Sequence, residues 1–423
     1  MIRFLLKGLL RDRSRSMFPA LTVAAGVMLT VFVFAWLRGM EASLLQSTAH
    51  LSSGHVRVTT AAYVADADQM PNDLALLGVD TLLAGLRARY PGLSWTPRIT
   101  FGGLLDVPDA RGETRTQAPV AGLGVDLLSP GSPEPRMLRL AAALVRGRLP
   151  ARRGEVLISD ELAARLSIPL GQTVTLIGST MNGAMALANF TVVGTVRFGV
   201  GPMDHGALIA DLADVQSALD MANGAASILG FFRDDVYHER EADSVAARFD
   251  AAHRSTDKYR PVMETLREAS GLADLLDYLT LVLNLAIGFF VLAMSIVLWN
   301  AGLMGSLRRY GEIGVRLAVG EDQGHVYRAM LVEAVAIGLV GSLVGTGLGL
   351  AASYVLEVHG LNVSAIMKDN AMMMEDVLRP RVTPGAALVG FVPGLLSTVI
   401  GAGISGLGIY KRQTSQLFKE LEA

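Results

Sequence analysis

Cysteine is absent from all 423 residues, which excludes disulfides, thiol catalysis and thiolate metal ligation. Charge is scarce. Only 18% of residues are Asp, Glu, Lys or Arg, against roughly a quarter in soluble domains. The formal net charge of −2 removes any bulk electrostatic case for nucleic-acid binding. No Gly-x-x-x-x-Gly-Lys-[Ser/Thr] loop, Gly-x-Ser-x-Gly elbow or His-Glu-x-x-His pair occurs. The residues therefore show no nucleotide-binding, catalytic or metal site.

The missing charge is concentrated. Residues 17–37, 279–304, 334–356 and 384–410 contain no Asp, Glu, Lys or Arg. Each run is long enough to cross a hydrocarbon core, which takes about 20 residues of helix. Four transmembrane helices are expected, over 17–38, 276–305, 329–356 and 384–410. The first run is too long for a signal peptide, and it ends at Trp36, Leu37 and Arg38 without a small-residue cleavage site. It is read as a retained anchor.

Basic residues set the expected orientation. Arg3, Lys7, Arg11, Arg13 and Arg15 precede the first run. Arg308, Arg309, Arg316 and Arg328 lie between the second and third, and Lys411, Arg412 and Lys419 follow the fourth. The positive-inside rule places all three groups, and both termini, in the cytoplasm. Residues 39–275 and the short loop 357–383 are then outside. Within 1–16, Ile2, Leu5, Leu6 and Leu9 share a helical face opposite Arg3, Lys7 and Arg11. An amphipathic interface helix turning into the membrane near Pro19 is expected; a disordered basic flank is the alternative.

The insert has the composition of a soluble domain and reads as mixed α+β. Strands are expected near 55–60, 155–159, 173–177, 190–196 and 207–210. A hairpin is expected from 99–107 and 116–122 around the polar turn 109–113. Short helices are expected at 160–166, capped by Ser159 or Asp160, and at 211–221. Asp204 and His205 sit among Gly199, Gly201 and Gly206 and read as a surface loop. The run from Tyr237 to Arg240 reads as a solvated charged segment. Residues 272–276 lead directly into the second run. An unbroken helix there would transmit movement stiffly.

The connector between the second and third runs, over 306–328, is the most informative segment. Ile313, Leu317 and Gly320 recur at helical spacing, and Glu312 and Arg316 form an i, i+4 pair of favourable order. Periodicity alone fits a docking helix and a polar connector equally well. Further on, Gly341, Gly345 and Gly349 line one helical face, which permits close packing within the subunit or across a dimer. Pro393 and Gly394 predict a kink in the fourth run. Glu333 is read as an interface residue at a helix end. The near absence of ionisable residues inside the runs argues against an ion-coupled carrier.

The combination of Arg309, Glu312, Ile313, Gly314, Val315, Ala318 and Gly320, followed by Glu333 and a glycine-rich helix, resembles the FtsX-like permease family of ABC transporters. That family includes lipoprotein-releasing and macrolide-exporter-type permeases. The outer residues Gly147, Arg148, Leu149, Pro150, Gly154, Glu155 and Val156 also resemble it, as do Gly171, Gln172, Thr173 and the strand 192–196. Glu321 and Asp322 depart from the family pattern, which has small residues there; a more acidic docking surface is the expectation.

The resemblance implies a bacterial inner-membrane, multi-pass subunit that dimerises with a second permease, identical or related. It implies a separate ABC-type ATPase carrying ATP and Mg, with no cofactor on this chain. Arg309, Glu312, Ile313, Arg316 and Leu317 match the segment that docks on that ATPase. It further implies delivery of motion to the outer domain for lipoprotein release or export of a hydrophobic cargo. The alternative is a mechanotransmission subunit that regulates a periplasmic enzyme. A periplasmic protein or lipoprotein, and membrane lipids, are the remaining expected partners.

Overall fold

The computed structural model describes residues 13–109, 111–199, 201–269, 272–307, 310–362 and 377–407. These fall into two compact units. One comprises 13–42, 279–361 and 377–407, and the other 43–278.

In the insert unit the strands are β1 (Val56–Thr60), β2 (Leu93–Pro108), β3 (Thr114–Val125), β4 (Leu144–Gly147), β5 (Glu155–Ser159), β6 (Thr173–Ser179), β7 (Met185–Val196), β8 (Ala207–Asp211), β9 (Ser227–Phe232) and β10 (Pro261–Thr265). Their order is β10-β1-β9-β2-β3-β8-β5-β7-β4, with β6 bridging β2 and β7. Pairing therefore closes on itself through β2, β3, β8, β5, β7 and β6, leaving none of these six as a free edge where they pair. β3–β8 and β5–β7 are parallel, and the other pairs in the circuit are antiparallel.

The period-2 rule explains why these strands are apolar on both faces. Val156 and Ile158 of β5, and Leu208 and Ala210 of β8, enter the main core. Their alternates Leu157 and Ile209 point the other way and are covered by Leu138, Leu140 and Phe198. The β2–β3 hairpin turns at Asp109, whose carboxylate accepts from the N–H groups of Arg111 and Glu113. Gly147 (φ +83°) and Gly154 (φ +77°) occupy the left-handed region that glycine tolerates best.

Helices flank the sheet. These are α2 (Val79–Arg89), α3 (Asp160–Arg165), α4 (Leu212–Ala218) and α5 (Glu239–Ala252). Ser159 caps α3 by accepting from the Leu162 N–H, and Asp211 caps α4 by accepting from the Ala213 N–H. Of the segment read as solvated at 237–240, His238, Glu239 and Arg240 are exposed, and Glu239 opens α5. Tyr237 packs on the core with its hydroxyl pushed up to about 12, chiefly by burial. Ala242, Val245, Ala246 and Phe249 form the buried stripe of α5. Asp204 and His205 lie in a short helical turn, Gly201–Gly206, rather than an open loop. Asp204 accepts from the N–H groups of Phe198 and Gly199, and His205 pairs with Glu161.

The other unit is helical. α1 (Arg13–Thr48) runs ten residues past the charge that ends the first apolar run. Hydropathy marks where a chain can leave a bilayer, whereas helix propensity marks where a helix ends, and 39–48 contains no proline. Pro19 lies inside α1, so the turn expected there is absent; residues 1–12 of the expected interface helix lie outside the described residues. α6 (Leu272–Leu307) is unbroken across 272–276. α7 (Tyr310–Ala318) and α8 (Gln323–His359) follow. Glu333 therefore sits inside α8 and not at its end. The fourth apolar run is divided: α9 (Pro384–Val389), a π-helical turn (Val392–Leu396) containing Pro393, and α10 (Ser397–Gly406). Among the described residues, four helical stretches, Met17–Ser53, Asp277–Met304, Gln323–His359 and Pro384–Gly406, are long and apolar enough to cross a membrane. Most of the loop expected at 357–383, and the tail from 408, lie outside the described residues.

Candidate functional site: the connector helix and the clamp on α1

The connector between α6 and α8 is built around α7. Ile313 is 5% exposed and packs on Val326 and Met330 of α8, with Leu317 and Tyr327 partly buried beside it. Ile313 and Leu317 thus fasten α7 to its neighbour and do not face outward. The outward residues are Val315, 48% exposed, and Val319, 84% exposed. Gly320 (φ +96°) stops the helix. The Glu321 N–H donates to the Arg316 carbonyl and the Gly320 N–H to that of Leu317, a glycine-terminated Schellman turn.

That turn brings Glu321 back beside Arg316. The guanidinium donates to both carboxylate oxygens, at 2.7 and 2.8 Å. These hydrogen bonds hold the Glu321 carboxyl below the usual carboxylate range. The side chain of Arg316 thus has Glu321 as a partner; the expected pair with Glu312 falls on a side chain outside the described residues. Asp322 caps α8, accepting from the His325 N–H. The acidic pair at 321–322 thus has local structural partners. Arg309 lies outside the described residues. Glu312 is in α7 by its backbone, and its side chain lies outside them.

Gly341, Gly345 and Gly349 of α8 face α1. A Cβ on each would stand 2.7 Å from Val23, 2.8 Å from Val27 and 2.9 Å from Val31 respectively. Four-residue spacing on both helices lets the valines seat over the glycines. The glycine face is therefore filled within the subunit. Past this seam, Arg38 of α1 donates to Asn284 of α6 and to Glu41, and Thr280 of α6 donates to Glu41.

A second constellation, not foreseen from sequence, lies in the insert unit. α1 passes into a π-helical turn, Ala49–Ser53, and reverses at Gly54 (φ +63°). The last carbonyls of a helix lack internal partners. Here Arg98 of β2 donates to the His50 carbonyl at 2.7 Å and to that of Leu51 at 3.2 Å. The same guanidinium donates to Glu134 at 2.8 and 2.7 Å, and Thr96 donates to Glu134 at 2.9 Å. Arg98 is 2% exposed and Glu134 is 0% exposed. The positive charge lies at the negative end of the helix dipole. Alternation along β2 accounts for the placement: Trp95, Ile99 and Phe101 enter the core, and Thr96 and Arg98 take the opposite face.

Asp235 adds a second hold. It accepts from Gln46 at 3.1 Å and pairs with His50 at 2.8 Å. Burial pushes this carboxyl up, but the hydrogen bonds and charge of its neighbours outweigh that and leave it below the ordinary value. Next to it His55 is buried. Its Nδ1 accepts from the Phe232 N–H at 3.0 Å, and its Nε2 has no hydrogen-bond partner among the described residues. Burial lowers its pKa to about 4. Among the described residues no group of His, Asp and Glu could hold a metal ion.

Comparison with known proteins defines the class. Residues 16–247 match the MacB-like periplasmic core domain, and residues 284–414 match the FtsX-like permease C-terminal domain. The first match alone spans more than half of the chain. The chain belongs to this family of FtsX-like ABC transporter permeases with a MacB-like periplasmic core domain.

It is similar to the uncharacterised ABC transporter permease YknZ of Bacillus subtilis strain 168. The two are 22% identical over 357 residues, covering 82% of this chain and 84% of that one. It is 21% identical over 365 residues to the macrolide export ATP-binding/permease protein MacB of Neisseria gonorrhoeae, covering 84% of this chain and 52% of that one. The chain thus spans about half the length of that exporter. The crystal structure of the periplasmic region of MacB from Actinobacillus actinomycetemcomitans aligns with a TM-score of 0.34 at 16% identity, over 50% of this chain and 88% of that one.

Proposed function

We propose that this permease docks a separate ABC-type ATPase through α7 and passes ATP-driven movement along α1 and α6 to the insert domain. The observation that carries this reading is the two-sided build of α7. Ile313 is committed inward to α8, leaving Val315, Arg316 and Val319 outward on a short helix fixed between two membrane helices. Apolar anchors with an adjacent guanidinium suit a protein groove better than a bilayer surface. The unbroken helices α1 and α6 supply stiff links, since a helix resists bending over a few turns.

In this reading α7 and both termini are cytoplasmic and the insert domain is periplasmic. A second permease copy, identical or related, completes the assembly in the bacterial inner membrane. The cargo is extracytoplasmic: a released lipoprotein or another hydrophobic molecule. An insert domain of more than 200 residues supports cargo handling over simple signalling.

The test is release or efflux of candidate cargo from proteoliposomes holding the permease and its ATPase. ATP-dependent movement of cargo is expected. ATP-dependent activation of a bound hydrolase, with no cargo moved, would contradict the transport reading.

A further inference from the structure

We infer that the buried Arg98–Glu134 pair is the joint that holds the end of α1 to the insert domain during the ATP-driven cycle. This rests on the coupling reading above and names the residues that carry it. Four observations converge. α1 continues into the π-helical turn Ala49–Ser53, and the His50 and Leu51 carbonyls of that turn both accept from one side chain. That side chain stands on β2, which is paired on both sides at this point, with Ser227 of β9 and Val125 of β3 opposite Arg98. A pull on α1 is thereby delivered to the middle of the sheet and not to a loop. The guanidinium is fixed by a two-pronged bond to Glu134, and Gln46 and His50 are tied separately to Asp235.

The energetics favour a positional role over a stabilising one. Moving two charges out of water costs about as much as their attraction returns, so an apolar pair of similar volume often stabilises as well or better. An apolar pair cannot accept the job of holding two carbonyls in register. The directional fork of arginine can. Arg98 is thus a positioning residue for coupling.

The absence of cysteine makes the test direct. Labels at Met40→Cys and Thr256→Cys, both exposed positions, report the distance between α1 just past its apolar run and the insert domain. The measurement uses the full chain reconstituted with its ATPase, with and without ATP. The paired substitution Arg98→Met with Glu134→Met should keep ATPase binding and ATP turnover, with a modest fall in thermal midpoint because the His50 and Leu51 carbonyls lose their donor. The ATP-driven distance change should fall below about a third of its unsubstituted size. Arg98→Lys keeps the charge but offers no fork, and should reduce the change by about twofold.

A full-sized change in either variant would overturn the joint. So would an equal loss of the change in Val245→Ala, which lowers the midpoint while leaving Arg98 and Glu134 intact, since that is what a purely structural pair would give. A chain without substitutions at 98 or 134 that binds the ATPase and shows no ATP-driven change would overturn the coupling reading itself.

Discussion

Gly345 and Val27 meet so closely that a Cβ on the glycine would stand 2.8 Å from the Cβ of the valine. No rotamer of a larger residue at 345 avoids that overlap, because the obstacle is the root of the valine side chain. Gly345→Val should cost about 1–3 kcal/mol by overpacking. It should lower the thermal midpoint in detergent. Combining it with Val27→Ala should recover little of the loss, because alanine keeps the Cβ and the Ala24 carbonyl, nearer still to the same point, stays in place. Gly347→Val, where no neighbour lies within 4 Å, should leave the midpoint unchanged.

The inward and outward faces of α7 predict separable defects. Ile313→Ala removes a buried anchor and should destabilise the connector by about 2 kcal/mol, seen as faster hydrogen exchange over 310–330. Val319→Asp should leave exchange unchanged and reduce ATPase co-purification. Arg316→Glu should reduce co-purification as well. If the defect came only from the lost Glu321 pair, adding Glu321→Arg would restore it; the docking account expects no restoration.

His55 predicts a pH dependence. Its folded pKa of about 4 lies below its ordinary value of 6.5, so the unfolded chain binds more protons between those limits. Stability contributed by neutral His55 is complete above pH 6.5 and declines as pH falls towards 4, by about 3 kcal/mol in total. Asp235, Asp234, His50 and His238 are the titratable groups that face it. The comparison is therefore between the unsubstituted chain and His55→Gln. The difference in thermal midpoint between pH 7.5 and pH 5 should be smaller in the variant.

Membrane orientation follows from the distribution of basic residues and is open to labelling in the cysteine-free background. Thr256→Cys should react with an impermeant maleimide in intact spheroplasts, and Val319→Cys only after permeabilisation. The reverse pattern would invert the topology.

Much of this was legible in sequence where a short-range rule applied. Uncharged runs exposed the membrane helices, and short apolar runs marked β5 and β8. Four-residue glycine spacing marked the packing face on α8, although only the structure identifies Val23, Val27 and Val31 as its partners. α5 was missed because its buried stripe is mostly alanine set among charged residues, a weak amphipathic signal. The clamp was missed for a different reason. Arg98 and Glu134 are 36 positions apart and become partners only through the fold. The Arg316–Glu321 contact depends on the turn at Gly320, which sequence pairing at i, i+4 does not consider.

The central claim is that α7 seats on an ATPase through its outward face, and a photo-crosslinker at Val319 tests it most directly. The account predicts an adduct with an ABC-type ATPase, identified by mass spectrometry, from position 319 and none from the buried position Val326. An absence of adduct at 319 in a complex that retains the ATPase, or equal adduct from both positions, would contradict it.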